Sequence, residues 1–122
     1  MVHFVGAGPG ATDLITIRGK ELIEQADVII YAGSLVNPKL CEYAKKGCAV
    51  YDSSKLNLTE VIEIMKDSRD KEIVRLHTGD PSIYGAVREQ MDELEKLNIP
   101  YDVTPGVSSF CAAAASLNLE YT

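Results

Sequence analysis

Three short segments of this chain combine glycine with proline, hydroxyl and carboxylate side chains at spacings suited to holding a small ligand. The first is Gly6-Ala7-Gly8-Pro9-Gly10-Ala11-Thr12-Asp13. It fits G-x-G-x-x-G/A, where glycines let a backbone approach a ligand closely at a helix start. A plain tight turn explains it too, but glycine at every second position from Gly6 to Gly10 favours close approach. A dinucleotide is a poor match for two reasons. Pro9 has no N–H to offer a pyrophosphate, and the second apolar run ends at Tyr31-Ala32-Gly33 without the carboxylate that would hold the ribose.

The second segment is His77-Thr78-Gly79-Asp80-Pro81-Ser82-Ile83-Tyr84-Gly85. Asp80 before Pro81 is a good helix start, with aspartate as N-cap and proline at the first helical position. Asp80 is therefore expected to cap a long helix through Ile83, Val87 and Met91, its carboxylate meeting the N–H of Ser82 or Ile83. Gly79 is harder to explain by capping and points to a backbone passing close to a ligand. His77 has no carboxylate or nucleophile evidently beside it, so a satisfied, partly buried histidine is expected rather than a catalyst. The third segment is Thr104-Pro105-Gly106-Val107-Ser108-Ser109. It reads most simply as a proline-glycine turn followed by an N-cap serine. The alanines from Ala112 to Ala115 read most simply as tight packing of a helix on a sheet.

These loops need a frame, and the hydrophobic pattern supplies one. Strands are expected at Val2–Val5, Val28–Tyr31, Cys48–Tyr51, Ile73–Leu76 and Tyr101–Val103. Helices are expected over Leu14–Gln25 with Thr12 or Asp13 as cap, over Asn37–Ala44, and through Leu58, Val61, Ile62 and Met65. Two more should run from Ile83 to Leu97 and onward from Ser108. Asn57 and Glu60 have the spacing of a capping box. Strands alternating with helices predict an α/β fold, a five-stranded parallel sheet with helices on both faces. In such sheets ligands bind beyond the carboxyl ends of the strands, where all three loops fall.

Composition narrows the function. The 122 residues suit a single domain, and 46% of them are hydrophobic, enough for one core. The net charge of −6 argues against nucleic acid and anionic membranes as partners. No apolar run approaches the roughly 20 residues of a membrane span. The amino-terminal residues run straight into the glycine loop, without the pattern of a signal peptide, so a cytoplasmic location is the default. Cys41, Cys48 and Cys111 form no C-x-x-C pair and are expected as reduced thiols. His3 and His77 lack ligand-like spacing, so no metal site is expected and His77 should bind none.

Taken together, Gly6-Ala7-Gly8-Pro9-Gly10-Ala11-Thr12-Asp13-Leu14-Ile15-Thr16, Arg75-Leu76-His77-Thr78-Gly79-Asp80-Pro81-Ser82-Ile83-Tyr84-Gly85 and Val103-Thr104-Pro105-Gly106-Val107-Ser108-Ser109 resemble the signatures of the tetrapyrrole (corrin/porphyrin) methyltransferases. They stand in that family's order, and the resemblance covers the whole chain. Tyr31–Val36, His77-Thr78, Tyr84-Gly85-Ala86 and Glu89-Gln90-Met91 resemble the family's cobalamin-pathway branch.

The resemblance implies methylation of a tetrapyrrole substrate, with S-adenosylmethionine held in a trough between two α/β domains. It implies cofactor contacts at Pro9, Thr78, Gly79, Asp80, Ile83, Ser108 and Ser109. Residues 1–122 match the family's N-terminal domain, and the second domain has no counterpart in this chain. The apolar surface facing that domain would lie bare, and a homodimer would cover it. Where some members carry an aspartate after the second strand, this chain has Ala32 and Gly33, so no catalytic base is named. The competing readings are a dinucleotide-binding oxidoreductase and a non-catalytic module.

Overall fold

The computed structural model describes all residues from 1 to 122. Its centre is one sheet of five strands: β1 (Val2–Gly6), β2 (Val28–Tyr31), β3 (Ala49–Asp52), β4 (Ile73–His77) and β5 (Tyr101–Thr104). The spatial order is β3-β2-β4-β1-β5, and every pairing is parallel. Four helices accompany it: α1 (Ile17–Gln25), α2 (Leu58–Asp67), α3 (Val87–Lys96) and α4 (Ser109–Leu117).

Alternate residues of the strands face opposite sides, and each side carries its own core. Val2, Phe4, Val28, Ile30 and Ile73 pack against Val61, Ile62 and Met65 of α2 and Met91 and Leu94 of α3. Val5, Ile29, Val74 and Leu76 pack against Ile23 of α1 and, beyond it, Val36 and Leu40. Burial on both faces is why β1, β2 and β4 are mostly apolar, with His3 in β1 and Arg75 in β4 as interior exceptions. The edge strand β3 is exposed at all four residues, which explains its weaker pattern.

Several expected boundaries move. The first helix begins at Ile17, capped by the Thr16 hydroxyl, which accepts from the Gly19 N–H at 3.0 Å. Thr12–Leu14 form a separate single 3-10 turn, and neither Thr12 nor Asp13 caps α1. The cause lies in Leu14 and Ile15, whose backbone folds back over Gly8 before the helix begins; a Cβ on Gly8 would lie 3.1 Å from the Leu14 carbonyl oxygen. The second expected helix is a short 3-10 segment, Pro38–Tyr43, with Asn37 as its cap.

α2 keeps its expected capping box. The Asn57 side chain accepts from the Glu60 N–H at 2.9 Å, and the Glu60 carboxylate accepts from the Asn57 N–H at 3.2 Å. Asn57→Ala should therefore lower stability by about 1 kcal/mol. Thermal unfolding tests this, and an unchanged midpoint would mean that water satisfies those N–H groups equally well.

The largest departures lie at α3 and α4. α3 begins at Val87, so Asp80 does not cap it. Tyr84 and Ala86 have left-handed φ angles of 54° and 50°, which interrupt any helix started at Pro81. The alanines of α4 are not tightly packed as a run either. Only Ala114 among them is buried, while Phe110 and Leu117 are exposed.

Candidate ligand site at the carboxyl ends of the strands

β1 and β4 are neighbours, but their following segments part company. The chain leaving β1 enters α1 on one face, and the chain leaving β4 enters α3 on the other. Such a divergence opens a crevice at the carboxyl ends of the strands. Two loops meet across it. The Gly8 N–H donates to the Gly79 carbonyl at 3.2 Å, and the Gly79 N–H donates to Gly8 at 2.8 Å. The Ala7 N–H donates to the His77 carbonyl at 2.6 Å.

The third loop joins them by direct backbone contact. A Cβ on Gly6 would lie 2.5 Å from Gly106 N and 2.7 Å from the Gly79 carbonyl oxygen. A Cβ on Gly106 would collide with that same oxygen. Gly6 and Gly106 therefore serve loop-to-loop contact, a use of glycine distinct from the ligand approach expected of the first loop. Asp80 locks the arrangement. One carboxylate oxygen accepts from the Ser82 N–H at 2.9 Å, and the other accepts from the Gly106 N–H at 2.9 Å. Asp80 thus meets Ser82 as expected, but it caps a single turn and ties the second loop to the third.

The resulting cleft is lined by Thr78, Gly79, Asp80, Ile83, Tyr84, Ser108, Ser109 and Phe110. Six of the seven residues singled out in the sequence come together here; Pro9 does not line the cleft, although Gly8 beside it is bonded to Gly79. Ser108 caps α4, its hydroxyl accepting from the Phe110 N–H at 3.3 Å, so the amino end of α4 opens on the cleft. That end carries the positive pole of the helix. Tyr84 and Phe110 were not among the expected contacts, although Tyr84-Gly85-Ala86 carries part of the family resemblance.

A second depression adjoins the first and shares Thr78 and Tyr84 with it. Ala32, Leu35, Arg75, His77, Gly85, Ala86 and Gln90 help to line it. Tyr84 is 93% exposed and stands between the two hollows. His77 is partly buried and hydrogen-bonded, with Nδ1 2.8 Å from the Thr78 carbonyl and Nε2 2.9 Å from the Gly85 carbonyl. It pins the turn that delays α3.

Gly33, where a carboxylate was missed after β2, has one beside it from β3. Asp52 accepts from the Gly33 N–H and from the Ser54 N–H, each at 2.9 Å. Bonds from the Ser54 and Gly33 N–H groups hold its carboxyl below the usual carboxylate range. Asp52 acts as a turn anchor. His3 meets Asp102 at 2.7 Å and Glu72 at 2.6 Å through its two ring nitrogens, but no group of three or more His, Cys, Asp or Glu side chains is arranged to hold a metal ion, and no helix is long and apolar enough to cross a membrane.

A parallel sheet with a cleft at its switch point, walled by the second and third loops and braced by the first, is the arrangement in which open α/β domains hold their ligands. The sequence profile of the Tetrapyrrole (Corrin/Porphyrin) Methylases matches residues 1–122, and the chain belongs to that family. It is 59% identical to the cobalt-precorrin-4 C(11)-methyltransferase of Methanocaldococcus jannaschii, across 99% of this chain and 48% of that protein. The solved structure of a cobalt precorrin-4 methyltransferase, a cobalamin biosynthetic enzyme, superposes with a TM-score of 0.95 at 43% identity, over 99% of this chain and 52% of the other. The uroporphyrin-III C-methyl transferase of Thermus thermophilus, solved in complex with S-adenyl homocysteine, gives a TM-score of 0.77 at 32% identity, over 93% of this chain and 47% of the other. The chain spans about half the length of the curated relatives it matches.

Proposed function

We propose that this chain is the N-terminal half of an S-adenosylmethionine-dependent methyltransferase that methylates C11 of precorrin-4 or cobalt-precorrin-4 during cobalamin biosynthesis. The observation that carries this reading is the convergence of Thr78, Gly79, Asp80, Ile83, Ser108 and Ser109 on one cleft. Relatives of this sequence across nearly its whole length are precorrin-4 and cobalt-precorrin-4 C(11)-methyltransferases.

The residues present fit the proposed methyl donor. Gly79 has a φ of 61°, and the nearest atoms to a Cβ there would be 3.7 Å away on Ser108 and Ser109. A side chain would thus occupy the cradle between the second and third loops without clashing with its walls. Asp80 supplies a carboxylate for a cationic or hydroxyl-bearing ligand, and the open end of α4 suits a ligand carboxylate. When bound, S-adenosylmethionine supplies a methyl group activated by a cationic sulfur. The loops of this chain hold and orient the donor beside the second depression, where the tetrapyrrole ring would lie. Positioning two reactants can lower a barrier by up to about 7–11 kcal/mol, so the reaction asks little acid–base work of the side chains. Pro9 lies outside the cleft lining, in the first loop, whose Gly8 braces Gly79. A second domain supplies the opposite wall, and that domain or a second copy of the chain covers Phe110, Leu117, Leu119 and Tyr121, all more than half exposed.

Calorimetry with S-adenosylhomocysteine and with NAD tests the reading. The whole protein that carries this chain should bind the former and not the latter. The 122 residues alone should bind it at least about tenfold more weakly, since one wall of the site is missing. Gly79→Val should abolish binding in the whole protein. Tight binding of NAD, or unchanged binding by Gly79→Val, would defeat the proposal.

A further inference from the structure

Arg75 stands in the middle of β4, in an apolar run whose neighbours Val74 and Leu76 are fully buried. Its register partners are Phe4 on β1 and Ile30 on β2, both without solvent exposure. A guanidinium placed there ordinarily has a carboxylate beside it, because an uncompensated buried charge is costly. Arg75 has none: it takes part in no ion pair of the structure. Its protein partners are neutral. Nε donates to the Gln90 side-chain oxygen at 3.2 Å, and Nη1 donates to the Ser53 hydroxyl at 3.0 Å and the Ile30 carbonyl at 3.5 Å.

The remaining nitrogen, Nη2, donates to no protein atom. Every sealed side-chain nitrogen and oxygen in the protein does have a partner, so Nη2 is open to space. The space Arg75 lines is the second depression, next to the cleft proposed for the methyl donor. Burial pushes the guanidinium below its ordinary value, yet it stays a cation at neutral pH. Gln90 and Ser53 fix its plane and leave Nη2 as the nitrogen free to donate. Its N–H groups can give a carboxylate oxygen a charge-assisted hydrogen bond.

We propose that Arg75 is a substrate-positioning residue that receives one carboxylate side chain of the tetrapyrrole ring at the floor of this depression. The proposal rests on the functional reading above and adds the group that would fix the ring's orientation. No Asp, Glu or Lys side chain lines this depression, so a ring carboxylate entering it finds Arg75 as its charged partner. Tyr84 and Leu35 form apolar walls for the ring itself.

The test uses the whole protein that carries this chain, with uroporphyrin III as an inert probe bearing carboxylate side chains and a neutral glycol-substituted porphyrin as control. The wild type should bind uroporphyrin III more tightly than the neutral ring. Arg75→Gln should weaken uroporphyrin III binding at least tenfold, leave the neutral ring unaffected and hold S-adenosylhomocysteine binding within twofold. Arg75→Lys should recover part of the loss. Equal uroporphyrin III binding by the wild type and Arg75→Gln would overturn the proposal, as would a parallel loss of S-adenosylhomocysteine binding in both variants, which marks a structural role. A wild type with no preference for the charged ring would overturn it without any variant. If the wild type fails to bind S-adenosylhomocysteine at all, the functional reading itself has failed; normal binding of it with an unaffected Arg75→Gln rejects only the role of Arg75.

Discussion

Gly6→Ala should be among the most damaging single-methyl additions in this protein, destabilising it by about 4 kcal/mol or more. The added carbon would fall 2.5 Å from Gly106 N, 2.6 Å from Gly106 Cα and 2.7 Å from the Gly79 carbonyl oxygen. All three are backbone atoms, so no side chain can rotate away. β1 cannot retreat either, because all five of its residues are buried and it is hydrogen-bonded to β4 on one side and β5 on the other. A domain with a stability of about 5–15 kcal/mol would lose much of it. Gly10→Ala is the control. Nothing lies within 4 Å of that position, so only the strain of its φ of 131° remains, about 1–3 kcal/mol. Urea unfolding of both variants measures the difference, and Gly6→Ala costing no more than Gly10→Ala would mean that the three loops do not touch as described.

Asp80→Ala should cost about 2–4 kcal/mol, from two hydrogen bonds to a charged acceptor. The bond to Ser82 lies at the surface and contributes the smaller share. The bond to Gly106 spans 26 residues and is partly buried, and its loss leaves an N–H without an acceptor. Asp80→Asn should recover only part of the loss, because its amide nitrogen would face one of the two N–H groups. Hydrogen exchange at Gly106 gives a local reading. It should quicken in Asp80→Ala by more than global stability alone explains, while amides of α2, on another part of the sheet, follow the global change. Uniform acceleration throughout would show that Asp80 contributes general stability and does not lock the third loop.

The sequence by itself determined whatever rests on local periodicity and local hydrogen bonding. Strand patterns alternating with helical ones specify a doubly covered parallel sheet, because its central strands, buried on both faces, must be mostly apolar. The capping box at Asn57 and the cap at Ser108 were legible because donor and acceptor lie two or three residues apart. Six of the residues lining the cleft were implied by the family resemblance, and the sheet rule places their two loops at the same end of the strands.

Only the tertiary structure decided features set between distant segments. α3 starts at Val87 because the His77 ring holds the Gly85 carbonyl, with Tyr84 and Ala86 left-handed on either side; Asp-Pro alone suggests an earlier start. Gly6 and Gly106 look like ligand-loop or turn glycines in one dimension, and their contact across 100 positions is visible only once β1 and β5 lie side by side. Arg75 reads as a lone charge in a strand until its neutral partners and its free Nη2 are known. The alanines of α4 carry an apolar pattern that names no partner, and it is the fold that buries Ala114 while leaving Ala113 and Ala115 exposed. Periodicity records which face of an element avoids water, whereas long-range packing selects the surface that meets it.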